Sequence, residues 1–137
     1  MVTAGAILAI DHGTRRTGFA ATDESRILTT PLDVFQGTGE ALLDYIGDLL
    51  GERRVSLFLL GLPYNMDGSE GPRAQEVRAF GERLAERFPA IELGYQDERL
   101  STKEADELLA AAGHYGDERK ARRDSWSALV ILRDYLG

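Results

Sequence analysis

The apolar positions of this chain fall into two rhythms, and the change from one to the other marks out the elements. Ile7-Leu8-Ala9-Ile10 is an unbroken apolar run ending in Asp11, which predicts a buried strand over 6–12. Strands over 16–23 and 27–35 form a meander with it; Asp23-Glu24-Ser25 lies in the turn, and Pro31 puts the third strand at an edge. A helical rhythm then takes over at 39–52, where Leu42, Leu43, Ile46, Leu49 and Leu50 share a face. The run 55–62, VSLFLLGL, is most simply a buried parallel strand. After a loop of turn formers over 63–71, Pro72 opens a helix whose stripe is Val77, Phe80, Leu84 and Phe88.

Alternation returns at 91–96, with Ile91, Leu93 and Tyr95 against Glu92, Gly94 and Gln96. Ser101 and Glu104 form a capping box for a helix that runs to about Ala112 and stops at Gly113. Residues 113–119 read as a polar loop, and 121–136 as a final helix apolar nearly all round, hence well buried. The predicted order is βββ-α-β-α-β-α-α. That order implies an α/β fold, a mixed five-stranded sheet with helices on both faces. In such sheets ligands gather at the carboxyl ends of the parallel strands.

Composition narrows the chemistry. The 137 residues suit one domain over 1–137, and a 43% apolar content is that of an ordinary globular protein. No apolar run approaches the ~18 residues of a membrane span, and the first five residues lack a signal-peptide pattern. The absence of cysteine excludes thiolate metal sites and fits a cytoplasmic protein. Two histidines, His12 and His114, cannot build a zinc site of several imidazoles. Net charge is −7, which on its face disfavours a nucleic-acid binder, yet Arg119-Lys120-Ala121-Arg122-Arg123 is a dense basic run and Arg15-Arg16 a smaller one.

Three acids stand at places the topology brings together. Asp11 ends the first strand; Glu98, with Asp97 beside it, ends the last; Asp124 is read in the first turn of the final helix, on the face of Ala128, Ile131 and Tyr135. Carboxylates meeting at one sheet end repel unless a cation lies between them, and Mg2+ or Mn2+ suits an all-oxygen setting. Asp97 is a reserve ligand, because neighbouring strand residues face opposite ways. Each acid also has a plainer reading: Asp11 as a turn cap, Glu98 in a surface pair with Arg99 or Arg53, Asp124 at a helix dipole.

Four motifs carry a resemblance. Asp11-His12-Gly13-Thr14-Arg15-Arg16-Thr17-Gly18, Gly61-Leu62-Pro63-Tyr64-Asn65-Met66-Asp67-Gly68, Asp97-Glu98-Arg99-Leu100-Ser101-Thr102, and Asp124-Ser125 before Ala128-Leu129-Val130-Ile131-Leu132 resemble the bacterial YqgF family, also called RuvX, in order along the chain. The resemblance implies a ribonuclease H-like fold and a nuclease that processes the precursor of 16S ribosomal RNA, resolves Holliday junctions, or both. It implies Asp11, Glu98 and Asp124 as catalytic acids around Mg2+ or Mn2+, two ions in all. His12 departs from the Tyr or Phe usual in the family, and Trp126 from a small residue; both bear on packing more than on chemistry.

In that light Arg15, Arg16, Asn65, Arg99, Arg119, Lys120, Arg122 and Arg123 become candidate nucleic-acid contacts rimming an acidic pocket. The Asn65-Met66-Asp67-Gly68 segment reads from its residues as a tight turn with Gly68 at positive φ, and from the resemblance equally as a substrate-facing loop. Symmetric cleavage of a junction would call for a homodimer, and a monomer remains the other state. Two further functions fit less of the chain. One is a non-catalytic domain that binds pre-ribosomal RNA. The other is a nucleotide-phosphate binder like the sugar kinases and actin-like ATPases, whose first phosphate loop Asp11-x-Gly13-Thr14 and Gly18 resemble; no second such loop exists here.

Overall fold

The structure is a computed structural model that describes residues 5–98, 101–113 and 116–137, with the side chains of 101, 102 and 116–121 left aside. Its elements are β1 (Ala6–His12), β2 (Arg16–Thr22), β3 (Thr29–Pro31), β4 (Phe35–Gln36), α1 (Gly39–Glu52), β5 (Val55–Leu62), α2 (Pro72–Arg87), β6 (Glu92–Asp97), α3 (Ser101–Ala111) and α4 (Gly116–Leu136). They build one mixed sheet in the order β3-β2-β1-β5-β6. β1, β5 and β6 run parallel, and β2 is antiparallel to β1.

Two expectations change here. The third strand is broken in two: β3 and β4 both pair with the outer edge of β2, so the sheet has six strands rather than five. Pro31 cannot donate to a ladder; Leu32 N–H still donates to Phe19 O at 2.8 Å, and the chain then leaves the edge before returning at Phe35. The final helix starts at Gly116, not near 121, which puts Asp124 in its third turn. Gly116-Asp117-Glu118 lacks apolar periodicity and so resembles a loop, but acids in a first turn favour a helix start.

The alternation of each strand divides the core. Leu8, Ile10, Phe19, Phe58, Leu60 and Leu62 point to one face and pack with Leu42, Leu43 and Ile46 of α1 and Val77, Phe80 and Leu84 of α2. Ile7, Ala9, Ala20, Leu57 and Leu59 point to the other and meet Ala128, Leu129, Ile131 and Leu132 of α4. Helix α3 packs on α4, burying Ala105 and Leu109. Lying between the sheet and α3, α4 is buried on all sides from Ser127 to Leu132, as its apolar sequence predicts. It emerges from Arg133 onward, and Tyr135 is 44% exposed.

Candidate active site

The parallel strands deliver their carboxyl ends to one rim, and the parity of each strand decides which acids share a face. Asp11 follows Ile7 and Ala9 and therefore stands on the α4 side of β1. Across the ladder its partner is Gly18. A Cβ on Gly18 would overlap the backbone carbonyl of Asp124, so glycine lets α4 lie directly on β2 at that point. The pairing thus places Asp124 beside Asp11. Glu98 comes one residue after β6, its N–H donating to Leu62 O at 3.2 Å. It shares the parity of Gly94, whose missing Cβ faces Leu57 and Leu59, and it fills the space left by Gly61. A Cβ on Gly61 would stand 2.7 Å from Glu98 Oε2. Asp97 has the opposite parity, that of Leu93 and Tyr95, which pack with the α2 side.

Electrostatics agree with this placement. Asp11 is pushed up to about 6 from 3.8, chiefly because burial penalises its charge. A hydrogen bond with the Glu98 carboxyl opposes that rise, the Asp124 charge adds to it, and Arg73 opposes it again. A hydrogen bond between two carboxyl groups requires that one of them carry the proton. Asp124 is held otherwise: Arg16 Nε stands 2.5 Å from its Oδ2. Two of the three predicted acids therefore touch, and the third is alongside but engaged. Among the described residues no three acidic or histidine side chains cluster tightly enough to hold a cation as they stand. The plain reading of Asp124 as a dipole partner falls away, since that effect is confined to a first turn.

The predicted basic rim divides. Arg15 and Arg16 line a cleft of about 500 Å3 with Gly13, Thr14, Gln36 and Asp124. Arg122 is exposed and lines a second cleft with Leu32, Asp33 and Trp126. Arg123, by contrast, joins α4 to α3 through an ion pair of 3.0 Å with Asp106. Arg99, and the side chains of Arg119 and Lys120, lie outside the described residues. Asn65 sits in a turn: its N–H donates to Ser69 O at 2.8 Å, its amide to Ser69 Oγ at 3.0 Å, and Gly68 has φ +88°.

Two residues at this rim were not foreseen in these roles. Arg73 donates to the His12 carbonyl at 2.7 Å and pairs with Glu76. Its signal was available, because a helix that follows a parallel strand begins at the carboxyl end of the sheet, so a cation in its first turn stands near Asp11. His12 stacks on Phe80 with ring centroids 4.3 Å apart, on the α2 side of the sheet. Burial and then Arg73 push it down to about 4, so it stays neutral.

The sequence profile of RuvX, a family described as a Holliday junction resolvase, matches residues 5–137. The chain belongs to the RuvX family. A relative from Edwardsiella ictaluri is 42% identical over 131 residues, covering 95% of this chain and 93% of its own, and one from Porphyromonas gingivalis is 38% identical over 134, covering 96% of each. Both carry the name "Putative pre-16S rRNA nuclease". Among solved structures, Thermus thermophilus RuvC in complex with a Holliday junction substrate superimposes with a TM-score of 0.58 at 14% identity, over 97% of this chain and 96% of that one. A second RuvC structure from that organism gives 0.51 at 13%, over 95% and 93%. The fold of this RuvX chain is thus the ribonuclease H-like one that its motifs imply. Gly13 and Gly18 also have structural explanations in this fold: a Cβ on Gly13 would overlap the Arg16 carbonyl within the tight β1–β2 turn, and Gly18 admits α4.

Proposed function

We propose that this RuvX chain is a divalent-metal-dependent nuclease that hydrolyses phosphodiester bonds in structured nucleic acid, namely the precursor of 16S ribosomal RNA, Holliday junctions, or both. The observation that carries the reading is the meeting of Asp11 and Glu98, with Asp124 alongside, at the carboxyl ends of β1 and β6. The family and the RuvC-like fold support it.

The residues fit a hard cation. The donors are carboxylate oxygens, which Mg2+ and Mn2+ prefer. Burial that raises Asp11 is a cost a cation would relieve, since an ion between carboxylates favours their charged forms. Asp11, Glu98 and Asp124 would hold it, with Asp97 turned to the other face. Such a metal stabilises charge on the phosphate and lowers the pKa of a bound water. The chain's own residues do the rest. Arg15 and Arg16 offer their guanidinium groups to neighbouring phosphates, which fixes the strand in the cleft beside Asp124. Arg73 ties the start of α2 to the residue after Asp11 and so holds the end of β1 in place.

A cleavage assay in Mn2+ on a four-way DNA junction and on a ribosomal RNA precursor fragment tests the reading. Asp11→Asn, Glu98→Gln and Asp124→Asn should each slow cleavage by about a hundredfold or more. Each variant should remain folded, and Asp11→Asn should melt no lower than wild type in chelator, because it removes a strained buried charge. A variant that cuts at the wild-type rate removes its residue from the metal site. Wild-type protein that binds both substrates and cuts neither favours a binding domain.

A further inference from the structure

Arg16 opens β2 and lies against Asp124 at the edge of the acid site. The two side chains are 47% and 23% exposed, so the pair is open to solvent on the Arg16 side and half-buried at Asp124. The backbone of Asp124 cannot shift toward the sheet, because it is already pressed on Gly18. What remains adjustable is the direction of the Asp124 side chain. In the present arrangement it points its Oδ2 at Arg16, while Asp11 and Glu98 satisfy each other. Arg16 also lines the cleft of about 500 Å3 that Arg15, Thr14 and Gln36 share. A guanidinium fork accepts a carboxylate or a phosphate with the same geometry, and it prefers a bidentate partner. An ion pair open to solvent on one side is worth little, so a phosphate that reaches the exposed face of Arg16 can displace the carboxylate.

We propose that Arg16 is a positioning residue that holds Asp124 apart from Asp11 and Glu98 until a substrate phosphodiester takes its place on the guanidinium. Released, Asp124 turns to the other two acids and completes the cation site. The inference rests on the nuclease reading and adds order to it: substrate assembles the metal site. Because coupling between two ligands is reciprocal, cation and nucleic acid must then strengthen each other's binding. A chain built this way avoids holding a complete hydrolytic centre when no strand lies in the cleft.

The test uses calcium, to suppress cleavage, and a four-way DNA junction. Calcium affinity of the protein alone is measured by calorimetry, and junction affinity by fluorescence anisotropy with calcium and with chelator. Arg16→Gln should bind calcium about tenfold more tightly than wild type. Arg15→Gln removes the same charge from the same cleft without touching Asp124, and should change calcium affinity far less. Calcium should tighten junction binding about tenfold in wild type and Arg15→Gln, and not in Arg16→Gln; couplings of this size are ordinary. Equal calcium affinities in the two variants overturn the proposal, as does coupling that survives Arg16→Gln. Junction binding by wild type that ignores calcium overturns it while the nuclease reading stands on the cleavage assay. Wild-type protein that binds neither calcium nor the junction overturns both.

Discussion

The two faces of the sheet use alternate residues of the same strands and do different work. On the α1 and α2 side Leu8, Ile10, Phe19, Phe58 and Leu60 present large side chains to large side chains, and the stripe on β1 ends in His12 stacked on Phe80. On the α4 side the strands present Ile7, Ala9 and Ala20, the helix answers with Ala128 and Ile131, and the stripe on β1 ends in Asp11. Gly18 and Gly61 stand where a Cβ would meet α4 or Glu98. The first face keeps its helices at the distance that bulky side chains set. The second brings helix backbone against strand, and only that closeness puts an acid from α4 beside an acid from β1. One face supplies most of the core; on the other, Leu57 and Leu59 still share a cluster with Leu129 and Leu132, and volume gives way to proximity at the rim, at Gly18 and Gly61.

The largest effects should come from glycines at the acid site, set against Gly47 on α1. The first face has a close approach of its own, at Gly81 of α2, whose Cβ would stand 2.3 Å from the Tyr95 hydroxyl. Gly18→Ala should overpack the α4 side, lower stability by about 2–3 kcal/mol and slow cleavage, since α4 and Asp124 must move. Gly61→Ala should act through Glu98 and Ile131 in the same direction. Gly47→Ala on α1 should do the reverse. Its Cβ would meet Phe88 Cζ at 3.6 Å, an ordinary contact, and a helical alanine in place of glycine is worth up to about 1 kcal/mol. Thermal melts and cleavage rates of the three check this. A Gly18→Ala protein as stable and active as wild type would show that α4 does not need its close approach.

Neighbours on opposite faces should also titrate against each other. Asp11 is raised from 3.8 to about 6, mainly by burial, so between those values the folded chain keeps a proton that the unfolded chain has lost. Stability then falls as pH rises from about 4 to 6. His12 is lowered from 6.5 to about 4, again mainly by burial, so the unfolded chain takes up a proton that the folded one refuses. Its contribution falls as pH drops through that window. The two slopes oppose each other; that of Asp11 is on the order of 3 kcal/mol over its window, and that of His12 is smaller because solvent screens a partly exposed ring. In chelator, Asp11→Asn should therefore melt at rising temperature from pH 4 to 6.5, while His12→Phe should melt at falling temperature across the Asp11 window. Wild-type profiles in both variants would refute the burial of the two groups.

Both slopes trace back to parity, and parity was legible in the residues. The run from Ile7 to Asp11 and the alternation from Ile91 to Gln96 were enough to set Glu98 on the side of Asp11 and Asp97 on the other. The helix stripes of 39–52 and of 72–88 were legible for the same reason: periodic apolar residues report burial directly. What escaped was decided by partners rather than by period. A polar stretch such as 116–120 has no periodicity to announce its helix. Pro31 marked an edge, but not that two short strands would share it. Charge identity made arginines candidates for phosphate without saying which would find a carboxylate first. Arg16 found Asp124 and Arg123 found Asp106, across separations that no local rule relates.

That last distinction makes the smallest prediction, and it lies wholly on the α4 side. Arg122 and Arg123 are adjacent on one helix and so point in different directions. Arg123 spans to α3, with Arg123 and Asp106 side chains 29% and 32% exposed, and it helps fasten α3 to α4. Arg122 is exposed beside the cleft of Leu32, Asp33 and Trp126. Arg123→Glu sets two carboxylates against each other and should lower stability by about 1 kcal/mol, leaving the salt dependence of nucleic-acid binding nearly unchanged. Arg122→Glu should weaken binding to every substrate alike. It should also remove about one unit from the slope of log affinity against log salt, because a phosphate contact releases about one counterion. Melting curves and binding across a salt series, in calcium to suppress cleavage, read both effects. If Arg123→Glu flattens the slope and Arg122→Glu leaves it unchanged, the two arginines have exchanged roles, and the α3 side of α4 faces the substrate.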